Sequence, residues 1–90
     1  MGRIIQRATA GTLESSDVFV MLEPNDQGLE IDIDSVVIRQ FGDAIRSVTE
    51  DVLREMEVDS AKVSIKDRGA LECVLRARVE TAVLRGKGEC

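Results

Sequence analysis

The sequence predicts an α+β fold: a small, mainly antiparallel four-stranded sheet packed by one long helix, β-β-α-β-β with a short C-terminal helix. Three observations lead there. Apolar and acidic residues alternate through Leu29-Glu30-Ile31-Asp32-Ile33-Asp34, and a second alternation runs through Lys62-Val63-Ser64-Ile65-Lys66. Between them Val37, Phe41, Ile45, Val48, Val52 and Met56 recur every three or four residues. A period of two marks a half-buried strand, and the longer period marks a helix with one apolar stripe. The 90 residues suit a single domain, 1–90, and with aromatics at 2 % (Phe19 and Phe41) its core has to be aliphatic.

Taken in order, Val18-Phe19-Val20-Met21-Leu22 is rich in β-formers and too short for a helix, so it predicts the first strand. Turn residues Pro24-Asn25-Asp26-Gln27-Gly28 separate it from the second strand, at 29–34, and the two read as an antiparallel hairpin. The helix is expected over 35–57, capped by Asp34 or Ser35. A third strand follows at 62–66, and Asp67-Arg68-Gly69 turns the chain. Residues 71–79 fit a strand (Leu71, Cys73, Leu75, Ala77, Val79) and partly a helix (Leu71, Val74, Leu75, Arg78, Val79). The preceding turn favours a strand at 71–78 with a short helix over 79–85 and a frayed tail at 86–90. That reading turns Cys73 inward as a small hydrophobe. It also sets Lys62, Ser64 and Lys66 on the solvent side shared by Glu30, Asp32 and Asp34.

Composition narrows the chemistry. Seventeen acids against twelve bases give a net charge of −5, which denies the chain the basic footprint that phosphate backbones require and argues against nucleic-acid binding. No apolar run approaches the ~20 residues that cross a bilayer, and the first ten residues lack a signal-peptide core. No membrane association and a cytoplasmic location are expected. With no His and only Cys73 and Cys90 as thiols, imidazole-dependent triads and ordinary zinc sites are not self-contained here, so no catalytic and no metal-binding residue is assigned. The row Glu30, Asp32 and Asp34 spaces its carboxylates about 7 Å apart along a strand, too far to hold one cation without further ligands.

All the excess negative charge lies between Gly11 and Asp34, with seven acids and no base. Within that third, Ala10-Gly11-Thr12-Leu13-Glu14-Ser15-Ser16-Asp17 concentrates small and hydroxyl residues just before the first expected strand. Neither serine has a His or Lys beside it to activate it. A hydroxyl modified by another enzyme needs only exposure and a recognisable flank. One reading is therefore a non-catalytic acidic protein–protein interaction module with a phosphorylatable serine at Ser15 or Ser16 between Glu14 and Asp17.

Three blocks carry a resemblance. The segment just quoted extended to Val18, Gln40-Phe41-Gly42-Asp43-Ala44-Ile45, and Gly69-Ala70-Leu71-Glu72-Cys73-Val74-Leu75-Arg76-Ala77-Arg78 resemble the acyl carrier protein, or gamma subunit, family of citrate lyase across nearly the whole chain. The resemblance implies a carrier subunit rather than an enzyme. It implies a covalently attached 2'-(5''-phosphoribosyl)-3'-dephospho-CoA whose thiol holds acetyl and citryl thioesters while citrate is cleaved to oxaloacetate and acetate. The position matching the family's attachment serine is Ser15, flanked by Gly11, Thr12, Leu13, Glu14, Ser16 and Asp17, and joined to the group by a phosphodiester. Ser16 is also a hydroxyl, so the local motif leaves both serines open. Implied partners are the citrate lyase alpha and beta subunits, a prosthetic-group transferase and an acetylating ligase.

Overall fold

The computed structural model describes residues 3–36 and 38–89, and at 38 and 39 the backbone alone. The stripe position Val37 and the thiol Cys90 lie outside the described residues. Six elements follow one another: β1 (Ala8–Gly11), β2 (Val18–Glu23), β3 (Leu29–Ser35), α1 (Ile38–Glu55), β4 (Ala61–Asp67) and α2 (Glu72–Gly86). The strands form one sheet in the order β1-β2-β4-β3, antiparallel at β1–β2 and β2–β4 and parallel at β3–β4. The α+β class and the four-stranded sheet are as predicted. The sheet is mixed, however, and its fourth strand is β1 rather than residues 71–78.

The predicted β2–β3 hairpin does not form, because β4 lies between the two strands. Burial explains the order. Ala61, Val63 and Ile65 of β4 are fully buried, as a central strand requires, whereas β3 exposes Glu30, Asp32 and Asp34 and suits an edge. The turn residues still act as turn residues, but they clamp the chain to the start of β4. The Ser60 hydroxyl donates to the Asn25 carbonyl, the Gly28 amide donates to Ser60 Oγ at 3.2 Å, and the Ala61 amide donates to the Gly28 carbonyl at 3.1 Å. Register places Lys62 between Glu23 and Glu30, and Lys66 between Phe19 and Asp34, so the solvent face alternates in charge as expected.

Residues 71–86 are the main correction. Leu75, Val79, Ala82, Val83 and Gly86 are buried at helical spacing, while Leu71, Cys73 and Ala77, which a strand would turn inward, are exposed. Leu, Glu, Arg and Ala are strong helix formers, and here they outweigh the turn ahead of them. Cys73 is consequently an exposed free thiol rather than a buried hydrophobe. Residues 86–89, predicted to fray, are held: the amides of Lys87, Gly88 and Glu89 donate to Val83, Arg85 and Leu84 carbonyls at 2.9–3.1 Å.

Helix α1 begins and ends inside its predicted span. It stops where Glu57 takes a φ of 60° and the Val58 and Glu57 amides donate to Leu53 and Arg54 carbonyls, a Schellman termination. Its inward face is Ile45, Val48, Thr49, Val52 and Leu53, with Met56 part-buried against the core. Phe41, predicted on that stripe, is 52 % exposed, and Leu29 and Leu71 also miss the core. Both helices cover the same sheet face, α2 over β1 and β2 and α1 over β3, and they touch each other. Between helices and sheet lie Val18, Val20, Leu22, Val63, Ile65 and the helix residues just named.

Candidate functional site

The hydroxyl-rich segment is the tip of a β hairpin. Strand β1 pairs with β2 from Ala8↔Leu22 to Gly11↔Phe19, so residues 12–17 make the connection. Alanine is depleted in strands, which is why Ala8-Thr9-Ala10 carries little strand signal; Ala8 and Ala10 nevertheless bury under α2. Gly11 has a φ of 93°, and a Cβ there would sit 1.8 Å from the Val18 carbonyl oxygen. Only glycine fits that crossing.

Asp17 organises the tip. Its part-buried carboxylate accepts hydrogen bonds from Arg78 Nε and Nη2 (3.1 and 2.9 Å), Thr12 Oγ1 (2.6 Å) and its neighbour's amide, Val18 N (2.7 Å). Those bonds, with Arg78 first and Thr12 and Val18 behind it, lower the Asp17 pKa from 3.8 to about 2. Thr12 Oγ1 in turn accepts from the Glu14 amide at 3.2 Å, and the Asp17 amide donates to the Glu14 carbonyl at 3.1 Å. The tip is also sewn to the β4–α2 turn: Ser16 N donates to the Arg68 carbonyl at 2.8 Å, and Arg68 N donates to the Asp17 carbonyl at 2.9 Å.

Two hydroxyls project from this frame. Ser15 and Ser16 are both exposed and, among the described residues, neither hydroxyl makes a hydrogen bond. They differ in backbone: Ser16 sits at a φ of 65° and its amide is committed to Arg68. Thr12, Leu13 and Glu14 are exposed around them. Sequence reasoning missed Arg78 and Arg68 as parts of the site. Arg78 lies 61 residues from Asp17, so no local pattern could pair them. Glu30, Asp32 and Asp34 are remote in role: they line the exposed side of the β3 edge, in register with Lys62, Ser64 and Lys66. Among the described residues no group of three or more His, Cys, Asp or Glu side chains could hold a metal ion.

Comparison with known proteins decides the family. Residues 5–86 match the family model described as "ACP: Malonate decarboxylase delta subunit (MdcD)". Citrate lyase acyl carrier proteins are 49 % identical over 93 % of this chain and 83 % of the relative in Latilactobacillus sakei, and 55 % identical over 92 % and 86 % in Vibrio cholerae. The chain belongs to the citrate lyase acyl carrier protein family. Membership extends to architecture: a chain in the crystal structure of a Pseudomonas malonate decarboxylase hetero-tetramer in complex with malonate aligns with a TM-score of 0.80 at 26 % identity, covering 93 % of this chain and 87 % of that one. The two chains thus share their fold, and in this chain the hairpin tip with its two serines is part of it.

Proposed function

We propose that this chain is the acyl carrier subunit of a citrate lyase complex, acting as one domain, and that Ser15 Oγ carries the prosthetic group through a phosphodiester. The observation that carries the proposal is an exposed, unbonded hydroxyl on a hairpin tip held from below by Asp17. Ser16 shares that exposure but sits at a φ of 65° with its amide held by the Arg68 carbonyl, which favours Ser15. A free hydroxyl at the end of a braced turn suits a transferase that must reach it and an arm that must leave the surface. The group fits the donor set: an oxygen for the ester bond is present, and no packed side chain covers it. When bound, 2'-(5''-phosphoribosyl)-3'-dephospho-CoA supplies a thiol that carries acyl groups as thioesters.

The chain's own residues present that hydroxyl and do no acid–base work on it. Asp17 is the nearest carboxylate in sequence that the structure ties down, and its oxygens are already engaged by four donors. A carboxylate held ionised down to about pH 2 is a poor proton acceptor, so activation of Ser15 falls to the attaching enzyme. Ser15 is thus an acceptor of modification and the chain a non-catalytic carrier. Its contribution to the reaction is tethering, which raises the effective concentration of a bound acyl group at successive partner sites. Those partners are the alpha and beta subunits, with a transferase and an acetylating ligase acting before them, in the cytoplasm.

The test is co-expression of variants with the attaching enzymes, followed by intact mass and circular dichroism. Ser15→Ala is expected to keep its fold, with stability within about 0.5 kcal/mol of the parent, and to gain no mass. Ser16→Ala is expected to gain the full group. Gain of the group by Ser15→Ala and its loss from Ser16→Ala would move the attachment to Ser16, and a gain of one phosphate alone would favour the interaction module.

A further inference from the structure

A groove of about 330 Å³ opens between α1, the turn after β4 and the start of α2. Phe41, Ala44, Ile45 and Val48 of α1 form one wall. The other is made by Asp67, Gly69, Ala70, Leu71 and Leu75. Phe41 is 52 % and Leu71 71 % exposed, so two large apolar side chains stand at its rim in water, at a cost that folding does not recover. The volume lies at the small end of the range for small-molecule sites, about 300–1,000 Å³, and suits an extended chain of light atoms rather than a folded partner.

Position and charge identify the occupant. The turn that forms one wall is the turn that holds the hairpin tip. Arg68, which bonds to Ser16 and Asp17 at 2.8 and 2.9 Å, lies between the wall residues Asp67 and Gly69. Among the described residues, the charged side chains on the lining are acidic, Asp67 and Glu72. Asp67 is buried, and its carboxylate accepts from Ser35 Oγ at 2.8 Å and from the Ala70 amide at 3.0 Å. Two carboxylates disfavour phosphates and acyl groups bearing carboxylates, while the apolar walls favour an uncharged chain. We propose that this groove seats the uncharged, amide-linked thioester end of the arm carried on Ser15 when that end bears a short neutral acyl group such as acetyl. The proposal rests on the carrier reading above and gives the arm a resting place that shields the thioester from water.

The experiment uses the full chain in its apo, thiol and acetylated forms, with Ile, Leu and Val methyl groups labelled for NMR. Acetylated protein is expected to shift the Ile45, Val48 and Leu75 methyl signals and to show contacts between them and the arm. Ala44→Trp, at an exposed position on the groove wall, fills the space. It is expected to abolish those shifts with the arm's mass unchanged, and to make the acetyl thioester react several-fold faster with hydroxylamine. A protein whose mass places the arm on Ser15 but whose groove methyls do not respond to it would overturn the groove and leave the carrier intact. Absence of any arm from Ser15 would overturn both. Methyl shifts that arise only when a partner subunit is added would assign the groove to that partner instead.

Discussion

Four donors converge on the Asp17 carboxylate, and one of its partners, Arg78, is delivered by a different element. The sign of the resulting pH dependence follows. Because the folded pKa, about 2, lies below the ordinary 3.8, ionised Asp17 stabilises the tip fully above the ordinary value, and that contribution fades as pH falls toward 2. Arg78→Leu removes the largest cause of the shift, so the Asp17 carboxyl should titrate closer to 3.8 and the tip loosen at a higher pH. A carboxyl-detected NMR titration of both proteins checks this, and an unchanged Asp17 midpoint in the variant would contradict it. Gly11 makes a harsher demand. With a Cβ placed 1.8 Å from Val18 O, Gly11→Ala should destabilise the fold by more than about 2 kcal/mol in a urea titration, through displaced backbone rather than lost burial.

At the scale of elements, α2 separates a helix from a strand in one comparison. Leu75 is 5 % exposed and Cys73 faces solvent, so Leu75→Ala should cost about 2–5 kcal/mol while Cys73→Ser stays within about 0.5 kcal/mol. Equal costs would restore the alternating pattern. Glu57, at a φ of 60° where α1 stops, should gain about 0.5–1 kcal/mol on replacement by Gly, measurable as a rise in Tm. These two sites also show what was legible beforehand. The alternations at 29–34 and 62–66 and the stripe from Ile45 to Val52 could be read directly, because each buries one face with a fixed period. Residues 71–79 could not be settled by period, since Leu71, Leu75 and Val79 satisfy both spacings; the run of helix formers was the better signal. Strand β1 was invisible because alanines supply little apolar contrast, and the place of β4 between β2 and β3 depends on long-range burial that no local pattern encodes. At the site, the serines were readable as a segment, but the Arg78–Asp17 clamp exists only after α2 has packed.

On the scale of the whole molecule, a body of 33 × 23 × 18 Å places its two helices on one side of a sheet and its serine-bearing tip at the end of an antiparallel pair. Part of the charge pattern is thereby explained: the acids of β3 and the lysines of β4 share the open face, where Glu30 stands opposite Lys62 and Asp34 opposite Lys66. Among the described residues no helix is long and apolar enough to cross a membrane. On the proposed carrier reading the chain presents a group to other proteins, and its activity should be wholly conditional on that group. The most direct test is citrate cleavage by purified alpha and beta subunits supplied with this chain in unmodified form, in modified form, and as Ser15→Ala taken through the same modification. Cleavage is predicted with the modified chain alone. Equal cleavage with the unmodified chain or with Ser15→Ala would contradict the account.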